Sequence, residues 1–485
     1  MRRIAVVIGA GVAALALFVG GLVGNTLRKG SVQVQVEPRP VTHGELTGPV
    51  LAEKLAALVR IQTVSEGQGR IDGDALAALH ARIEQDFPRV HTALTRRSLG
   101  NTLVYTWRGS DPSLPAGVLL AHQDVVPVTE PGAWTHPPFA GVVADGFVWG
   151  RGTIDDKQNI VAQLAAVEAL LDQGFQPRRT VHLVFGHDEE MGGSGAKRAA
   201  EVLGKEPLDF VLDEGGMVSL GVLDGLQPPA ALIGISEKGY ASLELRVLGD
   251  GGHSSMPPPH TAVGKLSQAI VALEAHPLPP RLDGPTGRMF DTLGPEMDWP
   301  LRLVMANRWL LGGVVASQMS KTPSANATLR TTQAVTMVKG SNKDNILPQS
   351  ATAVVNYRIV PGDTTESIIE HVQSVVGPDV EVQVLDGTIA SDPSPVSRTD
   401  GPAWEALNTA VRQTWPDAVV SPFLFIGATD ARSFAPYCER VWRFSPMALD
   451  GMDLKRIHGA DERISIDNLE RAAAFYVRFL ETAAG

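Results

Sequence analysis

Val118-Leu119-Leu120-Ala121-His122-Gln123-Asp124 is the stretch from which the fold is read. Four apolar residues run straight into a His-x-Asp, too short a run for the buried face of a helix. The same shape recurs as Val181-His182-Leu183-Val184-Phe185 before Gly186, and as Phe210-Val211-Leu212 before Asp213. Short apolar runs bounded by glycine or charge suit buried strands of a largely parallel sheet. Between and before them, Leu51–Ile61, Leu76–Phe87, Lys157–Leu171 and Ala196–Leu203 carry helical spacing. Strands alternating with helices predict an α/β layer architecture.

The middle of the chain reads differently. Leu243, Leu245 and Val247 alternate and lead into the turn Gly249-Asp250-Gly251-Gly252. A helix is expected from Thr261 to Leu273, and strands at Gln333–Val338 and Ala351–Ile359. These elements predict a smaller α+β unit set inside the first. The α/β pattern then resumes and closes with a helix whose start is marked by a D-x-x-E cap, Asp467 and Glu470. The expected division is an apolar N-terminal segment over 1–29 and a linker over 30–45, rich in Gly30, Pro38, Pro40 and Gly44. The main unit follows over 46–238 and 362–485, with the insert at 239–361.

Bulk properties narrow the function. At 485 residues the chain is too long for one ordinary core. Its 44% apolar and 20% charged residues are those of a globular protein. A net charge of −11 without a basic stripe argues against nucleic-acid binding. The single cysteine, Cys438, forbids an intramolecular disulfide and a thiolate metal cluster, and reads as structural. Arg2 and Arg3 precede 21 uncharged residues, Ile4–Gly24, enough to cross a bilayer. The flanking charge favours an N-terminus kept in the cytoplasm and a body exported from it. The length favours a retained membrane anchor; a cleaved signal peptide, with a secreted body, is the alternative.

The chemistry lies where carboxylates and histidines fall. His122-Gln-Asp124, Asp155-Asp156, Asp188-Glu189-Glu190 and Asp213-Glu214 follow apolar runs or a glycine-rich turn, and His458 comes near the end. Taken singly, Asp188-Glu189-Glu190 is a solvated loop and Asp155-Asp156 an N-cap. Together, at the carboxyl ends of sheet strands, they would converge on one crevice. Histidines and carboxylates without cysteine suit zinc, manganese or cobalt at a hydrolytic site. One shared carboxylate can hold two such ions. In a Glu-Glu pair the two side chains diverge, so one can ligate while the other takes a proton. No G-x-S-x-G occurs, which disfavours a serine amidase.

Six ordered blocks carry a family resemblance: Leu120-Ala-His-Gln-Asp-Val-Val126, Trp149-Gly-Arg-Gly-Thr-Ile-Asp-Asp-Lys157, His187-Asp-Glu-Glu-Met-Gly192, Leu212-Asp-Glu-Gly-Gly216, Gly251-Gly-His-Ser-Ser255 and His458-Gly459. They resemble the M20 metallopeptidases from about residue 50 onward. The Gly-Arg-Gly-Thr-x-Asp-Asp-Lys and Leu-Asp-Glu-Gly-Gly blocks point to the branch with Gly-X carboxypeptidase and N-fatty-acyl-amino-acid hydrolase. The resemblance implies a zinc-peptidase-like main unit and a ferredoxin-like lid that dimerises in many members, with a monomer as the alternative. It implies two zinc ions, replaceable by cobalt or manganese. Asp155 would bridge them, with His122 and Asp213 on one ion and Glu190 and His458 on the other. Glu189 would be the general base, and Asp124 would orient the ring of His122. A cis peptide is expected at Asp155–Asp156. His253 would donate to the oxyanion, often across a subunit boundary. Asn345, Arg358, Gly427 and Thr429 would hold the substrate, though Ile426 and Ala428 depart from the commoner Gly-Gly-Thr. The expected activity is hydrolysis of an amide next to a free carboxylate, in a dipeptide or an N-acyl amino acid. A specialised long-chain aminoacylase and a non-catalytic binder of the same fold are the alternatives.

Overall fold

The computed structural model describes residues 2–40, 46–67, 70–221 and 223–485; Met1 and positions 41–45 of the expected linker lie outside the described residues. The strands around the opening stretch form one mostly parallel sheet. Its centre is β2 (Ala116–His122), which pairs in parallel with β3 (Val181–Gly186) on one side and β4 (Leu208–Asp213) on the other. Strand β1 (Thr102–Trp107) adds antiparallel to β3, and Thr95–Leu99 adds beyond it. On the other flank come β11 (Val441–Arg443), parallel to β4, then β5 (Ala230–Glu237) and β10 (Val419–Phe425). All seven residues of β2 are buried, as expected for a strand covered on both faces.

Side chains of β2 alternate between two cores. Leu119 and Ala121 join Phe210, Leu212 and the helices α2 (Gly48–Val59), α3 (Lys157–Asp172), α10 (Pro402–Thr414) and α11 (Ile466–Ala483). Val118 and Leu120 face α4 (Ser194–Leu203), with Val211, Ala431 and Phe434. The lone Cys438 is buried in this second core.

The central region builds a separate antiparallel sheet in the order β7 (Thr332–Lys339), β8 (Ser350–Ile359), β6 (Gly239–Leu248), β9 (Glu381–Val384). Helices α5 (Ala262–Ala275) and α9 (Thr365–Val376) close its own apolar core. Between α5 and β7 lies a group of short helices, α6 (Gly284–Leu293), α7 (Trp299–Ala306) and α8 (Arg308–Met319). Their core reaches Ala230 and Val419 of the main sheet.

The closing helix starts differently from expectation. Ser465 is its N-cap, accepting from the Asn468 amide, and Asp467 lies inside the first turn. Glu470 is turned away from its own helix to accept the Gly48 amide at the start of α2. The apolar segment forms α1 (Arg2–Arg28), whose last turns meet α7 through Asn25 and Thr26. The chain after it lies against the main body. The Gln33 side chain pairs with both backbone groups of Val420, donating at 3.1 Å and accepting at 2.7 Å. Arg412 donates to the Val34 carbonyl, and Arg39 pairs with Glu481.

Candidate metal centre

Because β2, β3 and β4 run parallel, their carboxyl ends open on the same side. His122 ends β2, Asp188-Glu189-Glu190 follows β3, and Asp213-Glu214 closes β4. The loop before α3 brings Asp155 between them, with the Asp155–Asp156 peptide in the cis form.

The two oxygens of Asp155 face different histidines. His122 Nε2 lies 2.7 Å from Oδ1, and His458 Nε2 lies 2.9 Å from Oδ2. Glu214 is 3.4 Å from His122 Nε2, and Glu190 Oε1 is 3.2 Å from His458 Nε2. Ligand atoms of His122, Asp155 and Glu190 lie within 4.8 Å of one another, as do those of His122, Glu189 and Glu214. Glu190 Oε1 is buried and makes no well-formed hydrogen bond among the described residues, its 3.2 Å approach to His458 being an ion-pair contact. An orphaned anionic oxygen aimed at an imidazole is what a cation would satisfy. The donor set therefore fits a hard to borderline divalent ion.

The charges press on one another. Burial opposes ionisation of Asp155, yet His122 and His458 hold its carboxyl far below the usual range. Burial likewise opposes a charge on His122, but Glu214, Asp124 and Asp155 hold its proton well above the ordinary value. Glu189 is pushed well up by burial, then by Glu214, Asp430 and Glu190, while His122 pulls the other way. Burial, then Asp155 and Asp156, raise Glu214.

Asp124 lies beside His122, its backbone carbonyl 3.0 Å from the ring's Nδ1. Its carboxylate is 3.3 Å from His122 Nδ1 and accepts the Glu189 and Glu190 amides at 3.1 and 3.2 Å, so it ties the ring to the Glu-Glu turn. Asp213 does not join the cluster. Period two puts it on the face of Val211, against the Ala431–Phe434 segment, where it accepts the amides of Ala431 and Glu214. Glu214, one residue on, turns to His122 instead. A residue not singled out from sequence also matters here. Glu462, fully buried, pairs with Arg151 and accepts the amides of Gly152, Ile154 and Asp155 at 3.0, 2.8 and 3.2 Å. It fixes the turn that presents Asp155. Its position four residues after His458 was the only signal, and its partners are some 310 positions away.

The substrate candidates are scattered. Thr429 is buried and donates to Glu237, which pairs with the buried Arg443. Gly427 lies against the Phe425 ring, 2.9 Å from where a Cβ would stand. His253 and Asn345 meet at one end of the smaller sheet, where His253 pairs with Ile346 and the Asn345 carbonyl accepts the Ser254 amide. Arg358 is at the opposite end of β8, over the Tyr240 ring. At 3.3 Å per residue, β8 separates it from the His253 end by roughly 25 Å. The smaller sheet does not bring Asn345 and Arg358 together in one chain.

Comparison with known proteins bears on this geometry. Residues 118–482 match the model of peptidase family M20/M25/M40. The chain is 39% identical over 475 residues to probable carboxypeptidase S-like 2 of Dictyostelium discoideum, covering 95% of this chain and 91% of that one. It is 38% identical over 442 residues to N-fatty-acyl-amino acid synthase/hydrolase PM20D1 of Xenopus tropicalis, covering 89% and 86%. Among solved structures, the M20 family metallo-carboxypeptidase Sso-CP2 of Sulfolobus solfataricus superposes with a TM-score of 0.63 at 17% identity, over 89% of this chain and 98% of that one.

Proposed function

The chain belongs to the M20/M25/M40 peptidase family, and from that premise we propose that it is a two-metal amidohydrolase cleaving an amide beside a free carboxylate. The observation that carries the reading is Asp155, whose two oxygens each face a histidine. His122 and Glu214 would hold one ion, His458 and Glu190 the other, with Asp155 shared. Zinc suits this donor set, with cobalt or manganese as substitutes. When bound, such ions supply Lewis acidity toward the scissile carbonyl and make water a better nucleophile.

The chain's own residues supply the rest. Glu189 Oε takes the proton of the attacking water and hands it to the leaving nitrogen as the C–N bond breaks. Asp124 holds the His122 ring in one orientation. Arg358 is the candidate for the free carboxylate, which a guanidinium grips with two hydrogen bonds. His253 and Asn345 stand too far from Arg358 to share its site, which supports their acting in the site of a second copy. The substrate is an N-acyl amino acid or a dipeptide, and α1 holds the body to a membrane on the non-cytoplasmic side.

Glu189→Gln tests the reading. It is expected to keep its metal by elemental analysis and to lose roughly 10²–10⁴-fold in turnover. Full activity in that variant, or in chelator-stripped protein, refutes it. Matched Gly-X dipeptides and N-acyl amino acids, assayed side by side, separate the two substrate classes.

A further inference from the structure

The helix group between α5 and β7 presents an apolar surface that the proposed hydrolysis does not use. In α8, Trp309, Leu310 and Val314 are 73%, 44% and 54% exposed. With Gly313 and Ser317, also exposed, they occupy one continuous arc of the helix. No charged residue occurs from Trp309 to Ser320. Trp299, on the neighbouring α7, is 47% exposed. An exposed, charge-free helical face of this kind marks an interaction site.

The seating of α1 says what the partner is. Asn307, the residue between α7 and α8, is fully buried. Its side-chain amide donates to the Leu22 carbonyl and the Thr26 hydroxyl of α1 at 3.2 and 3.1 Å. Asn25 returns the contact, donating to Ala306 and Asn307. Arg302 of α7 donates to the Lys29 carbonyl, and Lys29 pairs with Asp291. Contact with the body thus begins at Leu22, while Ile8, Val12, Leu15 and Leu17 ahead of it are exposed. At 1.5 Å per residue, the uncharged stretch from Ile4 to Gly21 is about 27 Å long, close to the thickness of a bilayer's hydrocarbon layer. The surface of a membrane spanned by α1 therefore falls at Asn307, and Trp309 lies two residues from it. Exposed Arg28 and the half-buried Arg302 and Arg308 flank the same foot.

We propose that α8, with Trp309, Leu310 and Val314, seats in the head-group layer of the membrane at the foot of α1, so that the catalytic body lies on the lipid surface rather than swinging from a tether. The inference rests on the anchoring reading of α1. Tryptophans at the interface and an uncharged helix face flanked by arginine are the chemistry of such contact. It would present the hydrolase directly to acyl chains that partition into lipid.

A nitroxide at position 309 tests this in the full-length protein, reconstituted in phosphatidylcholine–phosphatidylglycerol vesicles. Trp309→Cys carries the label. Leu15→Cys and Lys197→Cys, the latter exposed on α4, report on α1 and on the aqueous side. Native Cys438 is buried with its thiol pushed up to about 11, so mock-labelled wild type is the blank. The expected result is an oxygen-to-nickel-chelate accessibility ratio at 309 several-fold above that at 197, and higher still at 15. An aqueous ratio at 309 with a lipid ratio at 15 overturns the seating and leaves the anchor standing. Aqueous ratios at both overturn both. Low access to oxygen and nickel alike at 309, with spin–spin broadening relieved by unlabelled protein, means a second copy covers the face and also overturns the seating.

Discussion

At the scale of single residues, the centre turns on which member of each acidic pair faces the histidines. In Glu189-Glu190 the second residue lies beside His458 and the first beside Glu214 and His122, the arrangement on which the proposed roles of ligand and base rest. In Asp213-Glu214 the geometry favours the second residue, because the strand's alternation sends Asp213 into the core under Ala431. That choice was not legible in the sequence, since it depends on where strand β4 ends. Glu214→Gln is expected to lower bound metal and activity together. Asp213→Asn, which keeps an oxygen for the Ala431 amide, is expected to retain metal and lose mainly stability. Metal content by elemental analysis beside thermal melting separates the two. His122 and Asp213-Glu214 stood out as candidates because they end apolar runs, whereas Asp155 and His458 stood out through the blocks of sequence around them. Glu462 did not, because its role is defined by backbone amides more than 300 positions away.

At the scale of elements, the strands and helices around the centre follow from short apolar runs and helical spacing, whereas their ends follow from local chemistry. The start of α11 shows the difference. The pair Asp467 and Glu470 has the spacing of a cap, yet Ser465 holds the free amide and Glu470 serves α2 instead. Ser465→Ala should therefore cost about 1 kcal/mol in urea unfolding, and Asp467→Ala much less. Strand β3 carries a second consequence. His182 is buried beneath the sheet against Thr106, and burial, with Arg108 adding to it, lowers its pKa to about 4 from 6.5. Below pH 6.5 the unfolded chain binds a proton that the native strand refuses, so stability falls as pH drops from about 6.5 towards 4. His182→Asn should flatten that part of the stability curve, measured as the urea midpoint against pH.

At the scale of the whole molecule, the α/β alternation and the later α+β unit are visible in the sequence because each element buries a periodic face. How α1 and the short helices meet was not, since it rests on Asn25, Thr26 and Asn307, three polar residues with no periodicity between them. If α1 spans the membrane, the enzyme should sediment with membranes through a high-salt wash and enter solution only with detergent; recovery of the full-length chain in the wash would refute the anchor. The chain just beyond α1 has a further bearing on any form that lacks α1. Among the described residues, strand β10 pairs with β5 alone, so its outer side is an open edge of the main sheet. Gln33 sits on that edge and imitates a neighbouring strand, meeting both backbone groups of Val420 with one amide. Open edges recruit other chains. A soluble version trimmed to begin after position 40 would lose this guard and be prone to pair sheet to sheet, whereas one that keeps residues 30–40 would stay dispersed.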